Sequence, residues 1–153
     1  MNETAIYSQD AEKALVGSVL IHQESFAELA VEAEDFYLTQ NRLIWRAFQR
    51  LYRAKKAIDY LTVQDNLSID GSLVQAGGPD YLIQLVNETI SSLHVQDYAV
   101  IVRDRAERRR MVRIASEMAT RAYDLDSDLD AAQGHWVEQI FTTRRRGQGA
   151  CHI

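Results

Sequence analysis

A single cysteine, Cys151, is all the thiol chemistry the chain has, so an intrachain disulfide is excluded and nothing points to an oxidising compartment. Proline is as scarce: Pro79 stands alone, and with few glycine clusters there is little to interrupt helices. No apolar run approaches membrane-spanning length, and Asp10, Glu12 and Lys13 fall where a signal peptide would need an unbroken apolar stretch. The expectation is a soluble cytoplasmic protein with no membrane partner. Also missing is G-x-x-x-x-G-K-[ST]; "AGGPD" and "RGQGAC" lack the lysine and hydroxyl that hold phosphate and magnesium. The chain is therefore not expected to hydrolyse ATP by itself, and it offers no catalytic residue and no cofactor site.

What is present suffices for a core. At 153 residues, 46% hydrophobic and 25% charged, the chain can form one domain, or one domain with an appendage. A formal net charge of -5 argues against general nucleic-acid binding, whose affinity comes from cationic side chains displacing phosphate counterions. The charge is uneven. Residues 1–100 carry 7 Lys+Arg against 14 Asp+Glu, a net of -7, whereas 101–153 carry 10 against 8, a net of +2.

Apolar residues recur three and four apart along nearly the whole chain. In "NRLIWRAFQRLY", Leu43, Ile44, Ala47, Phe48, Leu51 and Tyr52 form one face, with Arg42, Arg46, Arg50 and Arg53 off it, the pattern of an amphipathic helix. Residues 9–22 and 24–33 read as two earlier helices. Thr62 can cap a short helix through "TVQDNL" with Asp65 complementing its N-terminus, and Gly71 ends that region. Gly77 and Gly78 make a turn, Pro79 fits a first helical position, and Tyr81, Leu82, Leu85 and Val86 supply a buried face.

From His94 to Tyr123 no breaker occurs, which predicts a helix on the order of 45 Å long at 1.5 Å per residue. A turn at "DLDSD" and an amphipathic stretch, "LDAAQGHWVEQIFTT", complete a helical hairpin. In the first half of the long helix Val95, Tyr98, Ile101, Val102 and Ala106 share one arc. Further on the apolar arc rotates to Met111, Ile114, Ala115, Met118 and Ala122, while Arg105, Arg109 and Arg113 continue the first arc. Pairings four apart, Asp104 with Arg108 and Arg103 with Glu107, favour a solvated or partner-facing role for these arginines over direct nucleic-acid contact. The fold class is thus all-α: a globular head of about six helices over 1–93, a long antiparallel helical hairpin over 94–146, and a tail or start of a linker over 147–153.

Other chemistry is weakly supported. Aspartates 124, 126 and 128 match the first three ligands of a calcium loop, but Leu129 stands where glycine is required and His135 where glutamate is. An interhelical turn with Ser127 or Asp128 as N-cap is the simpler reading. His22, His94, His135 and His152 are scattered, and Cys151 with His152 supplies only two ligands, so no metal is expected. A helix-turn-helix over 43–70 would present Gln64 and Asn66 but no arginine or lysine on its recognition helix.

Five stretches, in order, carry a resemblance: "DAEKALVGSVL" (10–20), "EDFYLTQNRLIWRAF" (34–48), "DYLTVQDNL" (59–67), "GGPDYLIQL" (77–85) and "YAVIVRDRAERRRMV" (98–112). Over about residues 6–145 the chain resembles the N-terminal domain of DnaB-type bacterial replicative DNA helicases. The resemblance implies a helical head and hairpin, with hairpins pairing into dimers that assemble as a trimer of dimers, a collar on a hexameric motor. The apolar arc Met111, Ile114, Ala115 and Met118, with Trp136 and Ile140 opposite, is what such pairing needs. The collar also implies docking of a DnaG-type primase in the primosome, at positions matching Asp10, Tyr81, Val112 and Met118. Tyr81 is equally readable as a core residue, and Val112 and Met118 as hairpin packing. The basic row Arg105, Arg109, Arg113 matches an arginine-containing stretch of the family, with direct DNA contact weak or absent.

The motor domain with its phosphate loop does not occur in the sequence, so ATP and magnesium would belong to a partner motor domain, and a fragment of a longer helicase is favoured over a stand-alone relative. Two other function classes stay open: a small helical DNA-binding regulator, and a stand-alone helicase-interacting inhibitor. Salt separates the first from the assembly domain, because DNA affinity carried by several arginines falls steeply with added salt whereas apolar burial persists.

Overall fold

The structure of the protein, a computed structural model, describes residues 5–148, the last six as helical backbone. Its α-helices are α1 (Gln9–Ile21), α2 (Thr39–Arg53), α3 (Tyr60–Asp70), α4 (Gly78–Glu88), α5 (Val95–Tyr123) and α6 (Leu129–Gln148); two 3-10 turns, Gln23–Glu28 and Ala33–Asp35, lie between α1 and α2. No strand occurs among the described residues, and the chain is all-α as expected. It divides into two compact units between Ala106 and Glu107, inside α5.

The first unit is built around aromatic and aliphatic side chains that α1 and α2 turn inward. Leu15, Val16 and Val19 from α1, and Ile44, Trp45 and Phe48 from α2, are completely buried. Each such burial contributes about 1.5–3 kcal/mol before entropy is counted. Gly17 lets α1 approach the end of α4: a Cβ there would sit 2.8 Å from the Leu85 carbonyl oxygen and collide with the Thr89 hydroxyl. From α5, Val95, Ala99 and Val102 join this core, with Tyr98 and Ile101 partly buried against it.

Several local expectations are corrected. Residues 24–33 are not a continuous helix: Leu29 and Glu32 are extended. The Val31 carbonyl accepts the Trp45 indole N–H at 3.1 Å, which diverts it from any helical ladder. Helix α3 begins before Thr62. Its N-cap is Asp59, which accepts from the Thr62 N–H at 2.9 Å while the Thr62 hydroxyl accepts from the Asp59 N–H at 2.9 Å, a reciprocal capping box. Asp65 then falls in the second turn, and Asp59 complements the helix N-terminus instead. Gly71 closes α3 in the left-handed conformation, as its position implies. Tyr52 is half exposed rather than buried, whereas Trp45 and Asn41 are fully buried on the same helix.

The second unit pairs the later part of α5 with α6. Ile114 packs with Ala132 and Trp136. At the turn, Asp128 accepts from the Asp130 and Ala131 N–H groups at 3.1 and 3.2 Å, capping α6. The Ser127 hydroxyl lies 2.8 Å from the Arg121 and Asp124 carbonyls at the end of α5. Asp124 accepts from the Asp126 N–H at 3.1 Å. The aspartate-rich segment therefore spends its oxygens on turn and cap geometry.

Candidate functional site

The first unit holds a cavity of about 430 Å³ whose walls come from α1 (Asp10, Lys13, Ala14), the end of α4 (Leu85, Glu88), the following loop and the start of α5 (Tyr98). Asp10 is exposed on this wall. Lys13 and Glu88 approach to 3.5 Å. Glu88 is held below the usual carboxylate range by the Gln84 amide, which donates to it at 2.7 Å, and by the Lys13 ammonium. Ile90, in the loop, is almost completely exposed, as is Leu93 to a lesser degree.

Joining α1, α2 and α4 is a buried polar chain that the sequence reading missed. Glu12 is 2% exposed. Its carboxylate accepts from the Tyr37 N–H at 2.6 Å, the Leu38 N–H at 3.2 Å and the Asn41 side-chain amide at 3.0 Å. Two of these donors are backbone groups where the chain enters α2: the N–H of the N-cap, Leu38, which helix geometry leaves open, and that of Tyr37 just before it. The Asn41 oxygen in turn accepts from the Tyr81 hydroxyl at 2.6 Å. Burial, then the Glu12 charge, pushes the Tyr81 hydroxyl up to about 12, against the smaller opposing effect of the Asn41 hydrogen bond. Glu12 lies at helical spacing from Val16 and Val19, and Asn41 from Ile44, Trp45 and Phe48. A polar residue centred on an apolar arc is the signal that could have found both.

Of the positions expected to face a primase, Asp10 is at the surface, but Tyr81 is 8% exposed and packs into the core. Gly77, in the left-handed conformation, leaves room for the Tyr81 ring: a Cβ there would sit 2.7 Å from that of Tyr81. In the second unit Val112 is 42% and Met118 36% exposed.

The six residues expected to mediate self-association separate into two sets. Ile114 and Trp136 turn inward and meet, while Met111, Ala115, Met118 and Ile140 remain exposed. Met111, Ala115, Met118 and Ala122 follow helical spacing on α5, and Val137, Ile140 and Phe141 do so on α6, where all three are half exposed or more. The second unit thus carries exposed apolar stripes on both helices. The Trp136 indole N–H is buried with no acceptor among the described residues.

In the basic row, Arg105 is half-buried and pairs with its neighbour Asp104. Arg109 is half-buried, and Arg113 is exposed beside Ser116, Glu117, Thr120 and Arg121. The helix-turn-helix alternative loses one of its two reading residues, because the Asn66 oxygen is occupied by the Arg50 guanidinium at 2.8 Å. The pair Cys151 and His152 lies outside the described residues. Among the described residues no helix is long and apolar enough to cross a membrane.

Comparison with known proteins places these features. Residues 4–104 match the family described as DnaB-like helicase N terminal domain. The chain is 32% identical over 135 residues to the replicative DNA helicase DnaB of Haemophilus influenzae, a match covering 83% of this chain and 29% of that protein. With the DnaB of Geobacillus stearothermophilus it shares 29% identity over 146 residues, covering 94% and 32% of the two. The crystal structure of the N-terminal domain of DnaB helicase from Mycobacterium tuberculosis superposes with a TM-score of 0.81 at 25% identity, over 86% of this chain and 97% of that one. A DnaB-like replicative helicase, described with its interactions with primase, shares the fold with a TM-score of 0.78 at 20% identity, over 89% and 31%. The chain spans less than a third of the length of the curated relatives it matches.

Proposed function

The chain belongs to the family of DnaB-like helicase N-terminal domains, and we propose that its role is non-catalytic: assembly of subunits through the second unit, and docking of a DnaG-type primase. The observation that carries the assembly reading is the imbalance in the second unit. Ile114, Ala132 and Trp136 are its buried apolar side chains, while Met111, Val112, Met118, Val137, Ile140 and Phe141 stay exposed among the described residues. A two-helix hairpin with so small a core gains little from folding alone, and exposed apolar stripes of this kind mark association surfaces. A second copy supplies like stripes to cover them, as isologous pairing requires. A dimer is the minimal product, and a trimer of dimers its closed extension.

Docking rests on the family and on the exposure of Asp10, Val112 and Met118. Binding of primase and binding of neighbouring subunits then bias one another by linkage. Nucleotide chemistry belongs to a helicase motor domain, the third partner in this reading. The experiment is a calorimetric titration of the chain with the C-terminal domain of a DnaG-type primase. Saturable binding, weakened by Asp10→Lys and by Val112→Asp, is expected. No heat and no complex from an assembled chain would reject docking while leaving assembly standing.

A further inference from the structure

Among the described residues Lys55 is the one residue other than glycine with a left-handed backbone, at a φ of 56°; Gly71, Gly77 and Gly78 take the remaining such positions. It follows the C-cap of α2, Ala54. There the Lys55 N–H donates to the Tyr52 carbonyl at 3.0 Å and the Lys56 N–H to the Leu51 carbonyl at 2.9 Å. That pair of bonds is a helix stop which glycine forms without strain and which a residue bearing Cβ resists. A strained position held by a lysine points to a use for the lysine.

The charges around it are uncommitted. Of the seven Lys+Arg among residues 1–100, four are engaged. Lys13 meets Glu88 at 3.5 Å, Arg42 the Phe36 carbonyl at 3.0 Å, Arg46 Glu34 at 3.4 Å and Arg50 the Asn66 oxygen at 2.8 Å. The other three, Arg53, Lys55 and Lys56, are exposed and make no side-chain hydrogen bond or ion pair among the described residues. Complementing the helix dipole does not require a lysine at the left-handed position, since Arg50 and Arg53 already lie in the last turn of α2. Beside the three cations stands Tyr52, 51% exposed. Its ring meets that of Phe26 at 64° with centroids 5.3 Å apart, an edgewise contact rather than a face-to-face stack. The turn that carries Phe26 also carries Glu24 and Glu28, but neither forms an ion pair with these cations; Glu24 lies 3.5 Å from the His22 ring nitrogen.

We infer that the end of α2, with Tyr52, Arg53, Lys55 and Lys56, is a weak contact surface for single-stranded nucleic acid. The cations take phosphates, and the Tyr52 ring stacks against a base without regard to sequence. Both features are needed to identify the ligand. An acidic peptide uses the cations but has no planar group for Tyr52, and a duplex keeps its bases stacked on one another. The net charge of -5 keeps the contact weak. It does not cancel a local patch, because salt screens charges farther away than about 10 Å at 0.1 M. The inference depends on neither the docking nor the assembly reading.

The test is fluorescence anisotropy of a short labelled thymidine oligonucleotide titrated with the full chain across a salt series, with thermal midpoints measured in parallel. The chains compared are wild type, Lys55→Gly, Arg53→Gln with Lys56→Gln, and Tyr52→Leu. Wild type should bind saturably, with log affinity falling against log salt at a slope of about -2 for three phosphates, roughly fifteenfold for a fourfold rise in salt. Lys55→Gly separates use from structure, because its two effects have opposite signs. It should raise the midpoint by relieving the left-handed strain, yet weaken binding roughly fivefold and lower the slope by about 0.7. Arg53→Gln with Lys56→Gln should weaken binding further, and Tyr52→Leu roughly fivefold or more with the slope unchanged.

A Lys55→Gly chain that gains stability and binds as wild type does would overturn the inference. So would losses caused by Arg113→Gln and not by the α2 variants, which would put the contact on α5. A duplex bound as tightly as the single strand would remove the part given to Tyr52 and contradict the choice of ligand. Absence of oligonucleotide binding at low salt would overturn the inference outright, and binding of a glutamate-rich peptide in its place would assign the surface to an acidic protein. Should Tyr52→Leu fail to fold, Lys55→Gly and the salt series decide alone.

Discussion

The two units differ in how large an apolar core each holds. In the first, Trp45, Phe36 and Phe48 are completely buried. Among the described residues its one deeply buried carboxylate, Glu12, accepts three hydrogen bonds. In the second, the buried apolar cluster is Ile114, Ala132 and Trp136. Buried polar atoms without a hydrogen-bond partner among the described residues occur in both units: nitrogens of the Arg42 and Arg50 guanidinium groups in the first, one Glu107 carboxylate oxygen and the Trp136 indole N–H in the second. The first unit thus has a large core of its own, although Ile69, Val74, Ile90 and Leu93 stand exposed on it. The second has only a small core and leaves apolar stripes exposed on both helices, the surface that the proposed assembly would cover.

The contrast can be broken first at glycine. Gly17→Ala forces a methyl against the Leu85 carbonyl and the Thr89 side chain, and should destabilise the chain by about 1–3 kcal/mol. Gly134→Ala, in α6, adds a methyl that meets nothing within 4 Å, and should gain about 0.5–1 kcal/mol from helix propensity alone. Denaturant titration followed by circular dichroism gives both signs, and equal effects would erase the distinction between the units.

A smaller difference separates the tryptophans. Trp45→Phe gives up the indole bond to the Val31 carbonyl, whereas Trp136→Phe removes an N–H without an acceptor among the described residues. The first substitution should therefore cost more than the second by about 1 kcal/mol. A reversed order in the same titrations would mean that Trp136 has an acceptor in the assembled protein.

A further effect is confined to alkaline solution. The Tyr81 hydroxyl is raised from 10.0 to about 12 in the folded chain. Its contribution to stability is fully present below the unfolded value and is lost as pH rises through the folded one. Wild type should thus lose stability between about pH 10 and 12 by a component that Tyr81→Phe lacks. Parallel stability curves for the two chains across that interval would contradict the buried hydroxyl.

Much of this was legible from residue spacing. The continuous α5, the apolar face of α2, Gly71 as a helix stop and Tyr81 in a buried face all follow from local pattern. The failures share a physical cause. Glu12 finds its donors 25 to 29 residues away, and the Val31 carbonyl finds Trp45 14 residues away. Periodicity within a window cannot see partners at that separation. In the hairpin, the apolar arc was legible as an arc, but the inward turn of Ile114 and Trp136 and the exposure of Met111 and Ile140 depend on how the helices meet.

The central claim is that the second unit is an assembly surface. It is tested most directly by the solution mass, measured by light scattering across a concentration series for wild type and for Met111→Asp with Met118→Asp. The account predicts a dimer or larger ring in wild type, and monomers with undiminished helical circular dichroism in the double variant. A wild-type chain that stays monomeric at every concentration would contradict it.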